Sequence, residues 1–211
     1  DLMAMIPVLQ FNNMQVGLPN NYQIFLYQMG GELWTDDGMR INLDSNTALQ
    51  AFEDMCNMFT QYSLPYSYSF ANRFKTGEMP IGIVDYTQYN QMILFATEIA
   101  GLWDMVPIPG IMDAEGNINN VCVAGVGSIV MMDGCRNLDA SWKFMDWWVG
   151  HDFQVDYSNE LVAIMGPAAK NATANRQALE ELPRSSSEYQ NLSRQMNNLT
   201  AITAYPGSYI I

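Results

Sequence analysis

The residues that could carry out catalysis are few in this chain and are not grouped. His151 is the single histidine of the 211 residues, and no cysteine lies near it in the sequence. A lone histidine does not supply a metal cluster, and a catalytic histidine needs oriented partner side chains. We therefore interpret His151, just past an aromatic helix that ends at Gly150, as a helix-end residue that interacts with free backbone carbonyls.

Two further patterns come close to catalytic motifs without completing one. The run Gly125–Ser128 lacks the third glycine of a dinucleotide-binding loop, and Val130 stands where a nucleophile elbow needs glycine. Asp152 and Asp156 have the four-residue spacing of a solvated helical face. Since no set of residues combines an acid, a base and a nucleophile, the sequence predicts a protein that is not an enzyme and that uses no cofactor and no metal.

Side chains that could bind a polar solute stand at the ends of predicted elements. The segment Asp85–Asn90 follows a predicted strand and opens a predicted helix, which is where α/β folds hold ligands. Aromatic rings can stack on sugar rings, while amides and carboxylates bind hydroxyl groups. Two further positions lie where a loop enters a helix, and one follows a Pro-Gly turn. The candidate ligand-binding residues are Asp85, Tyr86, Tyr89, Asn90, Asn20, Tyr22 and Tyr209.

Helical and strand-like segments alternate along the chain and must position these side chains. Ser45 or Asp44 precedes a run with apolar residues at three- and four-residue spacing, which predicts a capped helix up to Phe59. Asp36-Asp37-Gly38 predicts a hairpin turn, and 113–120 a polar loop. The predicted strands are Met79–Val84, Leu102–Val106 and Val121–Met132, and Tyr86–Ala100 is a predicted helix. This alternation indicates an α/β fold.

The segment Ser141–Tyr157 is the most aromatic stretch of the chain. It contains three tryptophans, two phenylalanines and a tyrosine, bounded by polar residues. Trp142 and Trp148 lie on apolar stripes with helical spacing, so we expect them to pack in the core of the protein.

Composition excludes several classes of partner. The chain has 22 acidic and 9 basic residues, a net charge of −13, and the basic residues are scattered. Because such a surface repels phosphate backbones, we expect no binding of nucleic acid.

The three cysteines have no paired spacing and do not indicate a disulfide framework. The sequence begins in helical periodicity with no start methionine or signal peptide, so we expect a fragment of a longer protein.

Several segments, taken in order, resemble the solute-binding proteins of bacterial carbohydrate ABC importers, the family that includes maltose-binding protein. They cover nearly the whole chain: Phe74–Tyr86, Gly101–Gly110, Ser141–Tyr157, Ala172–Leu179 and Tyr205–Tyr209. In the maltose-binding branch, a tryptophan follows the strand that corresponds to Met79–Val84 and packs on the sugar. This chain has Asp85-Tyr86 there, which keeps an aromatic face and adds a carboxylate.

The resemblance implies a fragment of a two-lobed protein with a type II periplasmic-binding-protein-like fold, in which helices pack around a mixed sheet. Residues 1–75 would belong to the second lobe, residues 76–115 would cross to the first lobe, and residues 116–211 would return to the second. Most of the first lobe would be absent.

The resemblance also implies a function. The protein would be a monomeric extracellular receptor, a cell-surface lipoprotein or a periplasmic protein, that captures a polar solute by hinge closure and delivers it to an ABC permease in the membrane. An oligosaccharide is the first choice of solute. A peptide or another charged solute is the alternative, with Asp85 as its ion-pair partner, and a protein-interaction module without a small ligand is a further one.

Overall fold

The computed structural model describes residues 20–63, 69–113, 115–124 and 127–201, which form a mainly helical α/β fold. The helices are α1 Asn20–Gln28, α2 Asn46–Thr60, α3 Phe70–Lys75, α4 Tyr86–Phe95, α5 Leu138–Val149, α6 His151–Met165, α7 Arg176–Glu181 and α8 Ser186–Met196. Within these ranges, 3₁₀ turns are formed by Thr97–Ile99 and Pro167–Ala169. The strands are β1 Ile111–Met112, β2 Ile118–Asn119, β3 Cys122–Val123 and β4 Leu199–Thr200.

The described residues divide into two compact units, each made of segments that are distant in sequence. Unit 1 falls within Asp1–Val84, Gly101–Ala124 and Arg194–Ile211. Unit 2 falls within Asp85–Ala100 and Gly125–Ser193.

The core of unit 1 forms where α1 packs against α2. Its buried side chains include Tyr22, Leu26, Leu33, Ala48 and Ala51. Ser45 caps α2 by accepting a hydrogen bond from the backbone N–H of Ala48 at 3.2 Å, as the sequence predicted. The hydroxyl of Tyr22 donates to the Ala48 carbonyl at 3.1 Å, so the polar end of a buried ring is satisfied within the core.

Short strands and amide side chains complete unit 1. β1 and β2 form an antiparallel pair, with β2 inside the segment 113–120 that was predicted as a polar loop, and β3 pairs with β4 in parallel. Gln28 Nε2 donates to the carbonyls of Pro109 and Val121 at 3.0 and 3.1 Å. Asn119 Nδ2 returns hydrogen bonds of 3.0 Å to the carbonyl of Gln28 and to that of its neighbour in α1. These amides join α1 to the short strands.

The predicted strands are largely wrong. Met79–Val84 and Leu102–Val106 are not strands, and of Val121–Met132 only β3 forms a ladder. A strand requires a partner for its backbone hydrogen bonds, and β4 offers β3 only two residues. The predicted turn at Asp36-Asp37-Gly38 is present, and it closes on a single bridge between Trp34 and Ile41.

Unit 2 consists of helices and connecting loops. α4 packs on the 3₁₀ turn Pro167–Ala169, and α6 packs on α7 and on that same turn. Residues from α7, the following loop and α8 are buried: Ala178, Leu179, Leu182 and Leu192.

The expectation that Trp142 and Trp148 lie in the core is wrong for this structure. Their exposed fractions are 62% and 37%, and α5 has no buried residue. The reason is that α5 packs mainly against α6, so the apolar side chains on its other faces remain in contact with solvent.

Candidate functional site

The beginning of α4 brings together four of the candidate binding residues. The Asp85 side chain caps the helix and accepts a hydrogen bond from the N–H of Gln88 at 2.8 Å. Tyr86 and Tyr89 are three residues apart, so their rings share one face of the helix. The ring centroids are 5.7 Å apart and the planes are inclined by 20°, which is a stacked pair.

A buried charge network holds the Tyr86 side chain. The Tyr86 hydroxyl donates a hydrogen bond to the carboxylate of Glu188, which is 3% exposed. Arg184 donates from Nε to the Tyr86 oxygen at 3.1 Å, and its Cζ lies 5.6 Å from the centre of the Tyr86 ring. Lys170 Nζ lies 3.3 Å from the second oxygen of Glu188. We call Tyr86, Lys170, Arg184 and Glu188 the Glu188 network.

The network contains one half-buried cation, Lys170, together with a buried cation and a buried carboxylate. The side chains of Arg184 and Glu188 are 2% and 4% exposed, and Arg184 Nε lies 3.5 Å from Glu188 Oε1. Arg184 also donates to the carbonyl of Asn171. Buried charges require such partners, because an unpaired ion in the interior is costly.

The surroundings of Tyr86 fix its role in this structure. Burial, followed by the hydrogen bond to Glu188, raises the pKa of Tyr86 above that of a free tyrosine. The hydroxyl therefore stays protonated near neutral pH and remains the donor to Glu188. With its hydroxyl bound to Glu188 and its ring next to Tyr89 and Arg184, Tyr86 joins the beginning of α4 to the segment around α8.

Asn90 forms a second attachment of α4. It is fully buried, and its Nδ2 donates to the carbonyl of Lys170 at 2.7 Å. Its Oδ1 has no hydrogen-bond partner among the described residues, and the same holds for Oδ1 of Asn171 and Oγ of Ser158. Asn90 thus attaches α4 to the segment that contains Lys170.

The remaining candidate residues have different locations. Tyr22 is 2% exposed in the core of unit 1. Asn20 is the first residue of α1, and its side chain lies outside the described part of the structure, as does Tyr209. The binding roles of all seven candidates stay predictions.

Sequence reasoning missed the three charged members of the Glu188 network. They stand 84 to 102 residues after Tyr86 in the chain, and nothing in the local sequence marks Lys170 as a partner of Glu188. One signal was available, since Arg184 and Glu188 have the i, i+4 spacing of a helical ion pair.

His151 follows Gly150, the C-cap of α5, and opens α6. Its two ring nitrogens contact carboxylates and not free backbone carbonyls, so the interpretation from the sequence is wrong. Its Nδ1 lies 2.8 Å from Asp152 Oδ1 and its Nε2 lies 3.0 Å from Glu181 Oε1. The hydrogen bond to Asp152, together with Glu181, raises the pKa of His151. The imidazole thereby links the start of α6 to the last residue of α7.

The described residues show no disulfide and no metal site. Cys56, Cys122 and Cys135 are free thiols. Within the described ranges, no three side chains of His, Cys, Asp or Glu are placed to hold a metal ion. In the same part of the chain, no helix has the length and apolar character needed to cross a membrane.

Comparison with known proteins places this geometry in context. The sequence model of a family described as bacterial extracellular solute-binding protein matches residues 11–155. No curated protein sequence matches the chain. A crystal structure of an ABC transporter solute-binding protein from Thermotoga lettingae TMO, bound with alpha-D-tagatose, is similar with a TM-score of 0.61 and 17% sequence identity. The alignment covers 86% of this chain and 45% of that one, so the present chain spans less than half of that protein. The likeness confirms the predicted fold class, part of a two-lobed α/β fold.

Proposed function

The chain belongs to the family of bacterial extracellular solute-binding proteins, and from that membership we propose that it is a non-enzymatic receptor for a polar solute. The match over residues 11–155 is the observation that carries this proposal. The receptor works outside the cytoplasm, as a periplasmic protein or a cell-surface lipoprotein. It captures its solute as a monomer by hinge closure and delivers it to the permease of an ABC importer.

We propose that the solute is a sugar, with an oligosaccharide as the first choice. The stacked pair Tyr86 and Tyr89 at the start of α4 supports this choice, because aromatic faces suit the apolar faces of sugar rings. The sugar bound to the Thermotoga lettingae protein supports it as well. The residues 85–100 that contain this site belong to a single unit.

Within this site, we propose different roles for four residues. Tyr89 is half-buried and Asp85 is exposed, so these two would touch the solute directly. Tyr86 and Asn90 would hold them in place, because the Tyr86 hydroxyl is bound to Glu188 and Asn90 is bound to the Lys170 carbonyl. This division makes Tyr89 the principal stacking residue.

Calorimetric titration of the polypeptide that spans the whole fold tests the proposal, with a panel of mono- and oligosaccharides and a panel of short peptides. We expect heat of binding with at least one sugar and a loss of affinity of about tenfold or more in Tyr89→Ala. Tyr62→Ala, an exposed tyrosine after α2, is the matched control and should bind as the wild type does. Binding of peptides without sugars would overturn the choice of sugar but not the assignment as a receptor.

The alternative solute is a peptide or another cation-bearing molecule, and the exposed carboxylate of Asp85 favours it. Asp85→Asn separates the two cases, since asparagine keeps an oxygen for hydrogen bonding and for the helix cap but removes the charge. A cationic solute would lose about tenfold or more in affinity, and this loss would shrink at high salt. A neutral sugar would lose little and show no such salt dependence.

A further inference from the structure

Unit 2 contains three buried side-chain oxygens that no hydrogen bond satisfies. Among the described residues, Oδ1 of Asn90, Oδ1 of Asn171 and Oγ of Ser158 have no partner. Asn90 is 0% exposed and Ser158 is 3% exposed. An unpaired polar group in the interior costs free energy, so such groups are ordinarily bonded either to the protein or to an ordered water. The three oxygens therefore point to a partner that they share, if the fold brings them together.

The side chain of Asn90 has a fixed orientation. Its Nδ2 donates to the carbonyl of Lys170 at 2.7 Å. A carbonyl oxygen can only accept, so the amide nitrogen of Asn90 must face Lys170, and Oδ1 is turned to the other side of the amide. α4 also packs on the turn Pro167–Ala169, directly before Lys170. Asn90 Oδ1 therefore lies where α4 meets the segment that follows α6.

That segment runs back along α6. α6 ends at Gly166, which has a φ of 82°. Further along, the Thr173 hydroxyl donates to Gln154 Oε1 at 2.7 Å, and Asn175 Nδ2 donates to the carbonyl of Val149 at 3.0 Å. As the segment advances by two residues, its partner moves toward the start of α6. The chain after Gly166 is therefore antiparallel to the helix.

This antiparallel register brings Asn171 to the level of Ser158. Ser158 follows Gln154 by four residues, so the two share one face of α6 and stand about 6 Å apart along its axis. Asn171 precedes Thr173 by two residues, which span at most about 7 Å. The two displacements have the same direction and nearly the same length. Asn90 is bonded to the residue directly before Asn171, so all three side chains approach this point.

We propose that the three oxygens bind one buried water molecule. The two O–H groups of the water donate to Oδ1 of Asn90 and to Oδ1 of Asn171, which can only accept, and its oxygen accepts from the hydroxyl of Ser158. Three hydrogen bonds are the usual number for a buried water. The water joins α6 to α4, the helix that carries Asp85 and Tyr89. The proposal does not depend on which solute these residues bind.

Charge makes a metal ion a poor occupant of this site. All three oxygens belong to neutral side chains, so they do not balance the charge of a cation. Arg184 donates to the backbone carbonyl of Asn171, and Lys170 is the preceding residue. The adjacent Glu188 network already has two cations and one carboxylate. A further cation would be buried beside like charges, whereas a water carries no such cost.

A high-resolution crystal structure of the wild-type polypeptide that spans the whole fold tests the proposal. We expect one water within about 3.2 Å of all three oxygens. Direct hydrogen bonds among the three side chains, or separate waters on separate oxygens, would overturn it. Contacts of about 2.3–2.6 Å to the central atom would identify a cation instead and would also overturn it.

A double-mutant cycle tests the shared water in solution. Ser158→Ala and Asn171→Ala should each raise the unfolding equilibrium constant about fivefold, since each removes one hydrogen bond to the water. Because both act on the same molecule, the double variant should unfold much less readily than the product of the two effects predicts. Asn159→Ala, an exposed neighbour on α6, is the control, and its effect should multiply with that of Ser158→Ala. Multiplying effects for Ser158→Ala and Asn171→Ala would show that the two side chains share no water.

Discussion

The hydroxyl of Tyr86 donates a hydrogen bond to the buried carboxylate of Glu188, a residue 102 positions later in the chain. Arg184 donates a hydrogen bond to the same tyrosine oxygen at 3.1 Å. The first turn of α4 is therefore fastened to the first turn of α8. Sequence reasoning assigned the Tyr86 ring to solute binding, and the structure shows that it is also part of the interior of unit 2. Substitutions around this ring should therefore change the stability of the unit.

Glu188→Gln should strongly destabilise unit 2. The substitution removes the one carboxylate between Arg184 and Lys170 and leaves a buried guanidinium and a half-buried ammonium without their counter-charge. Breaking a buried ion pair by removing one partner costs about 3–5 kcal/mol. Chemical denaturation followed by circular dichroism measures the loss.

Glu160→Gln is the matched control for Glu188→Gln. Glu160 lies on α6 in the same unit and is exposed, so its substitution should change the free energy of unfolding by less than about 0.5 kcal/mol. Equal stability of the two variants would show that the Glu188 network does not hold the unit together.

The capping carboxylate of Asp85 should contribute to stability separately from any contact with solute. Asp85→Ala removes the acceptor for the Gln88 N–H and should cost about 1 kcal/mol of unfolding free energy. Asp85→Asn keeps an acceptor for this hydrogen bond and should cost only a few tenths of a kcal/mol of unfolding free energy. Thermal melts without solute measure both, and a larger loss in the asparagine variant would contradict the capping role.

Local features of the fold could be predicted from the sequence, and features that depend on distant partners could not. Ser45 precedes α2 and caps it as expected, because a capping side chain and the helix it begins are neighbours in sequence. Asp85 caps α4 in the same way, a role that the sequence analysis did not assign to it. The short ladder that pairs Cys122 with Leu199 joins segments 77 positions apart, and periodicity carries no information about such pairing.

The candidate site shows the same division. The cluster of Asp85, Tyr86, Tyr89 and Asn90 follows from one helix and was predictable. The attachment of Tyr86 to Glu188 depends on tertiary structure, and so does the exposure of Trp142. Helical spacing places Trp142 on an apolar stripe of α5, but spacing does not reveal whether that stripe is covered by the rest of the protein.

Gly110→Ala should destabilise unit 1 through a collision between backbones. A Cβ at Gly110 would overlap the Asn119 carbonyl and approach the side chain of Ile118, both in β2. Backbone atoms cannot rotate away, so we expect a loss of about 1–3 kcal/mol. Gly134→Ala is the control, because its Cβ would meet no atom within 4 Å. Denaturation curves of the two variants should therefore separate, and coincident curves would show that β2 shifts freely.

His151 should make stability depend on pH, with a sign fixed by its surroundings. Because Asp152 and Glu181 raise the pKa of His151 in the folded state, the folded protein binds its proton more tightly than the unfolded chain does. The stabilisation is complete below the unfolded pKa of about 6.5 and is lost as pH rises through the higher folded pKa. We expect the melting temperature of wild type minus that of His151→Gln to be largest near pH 6 and to shrink toward pH 8.5. As a control, the difference in melting temperature between wild type and Glu160→Gln should not change with pH over this range. If the difference for His151→Gln also does not change with pH, the imidazolium adds nothing to the contact between α6 and α7.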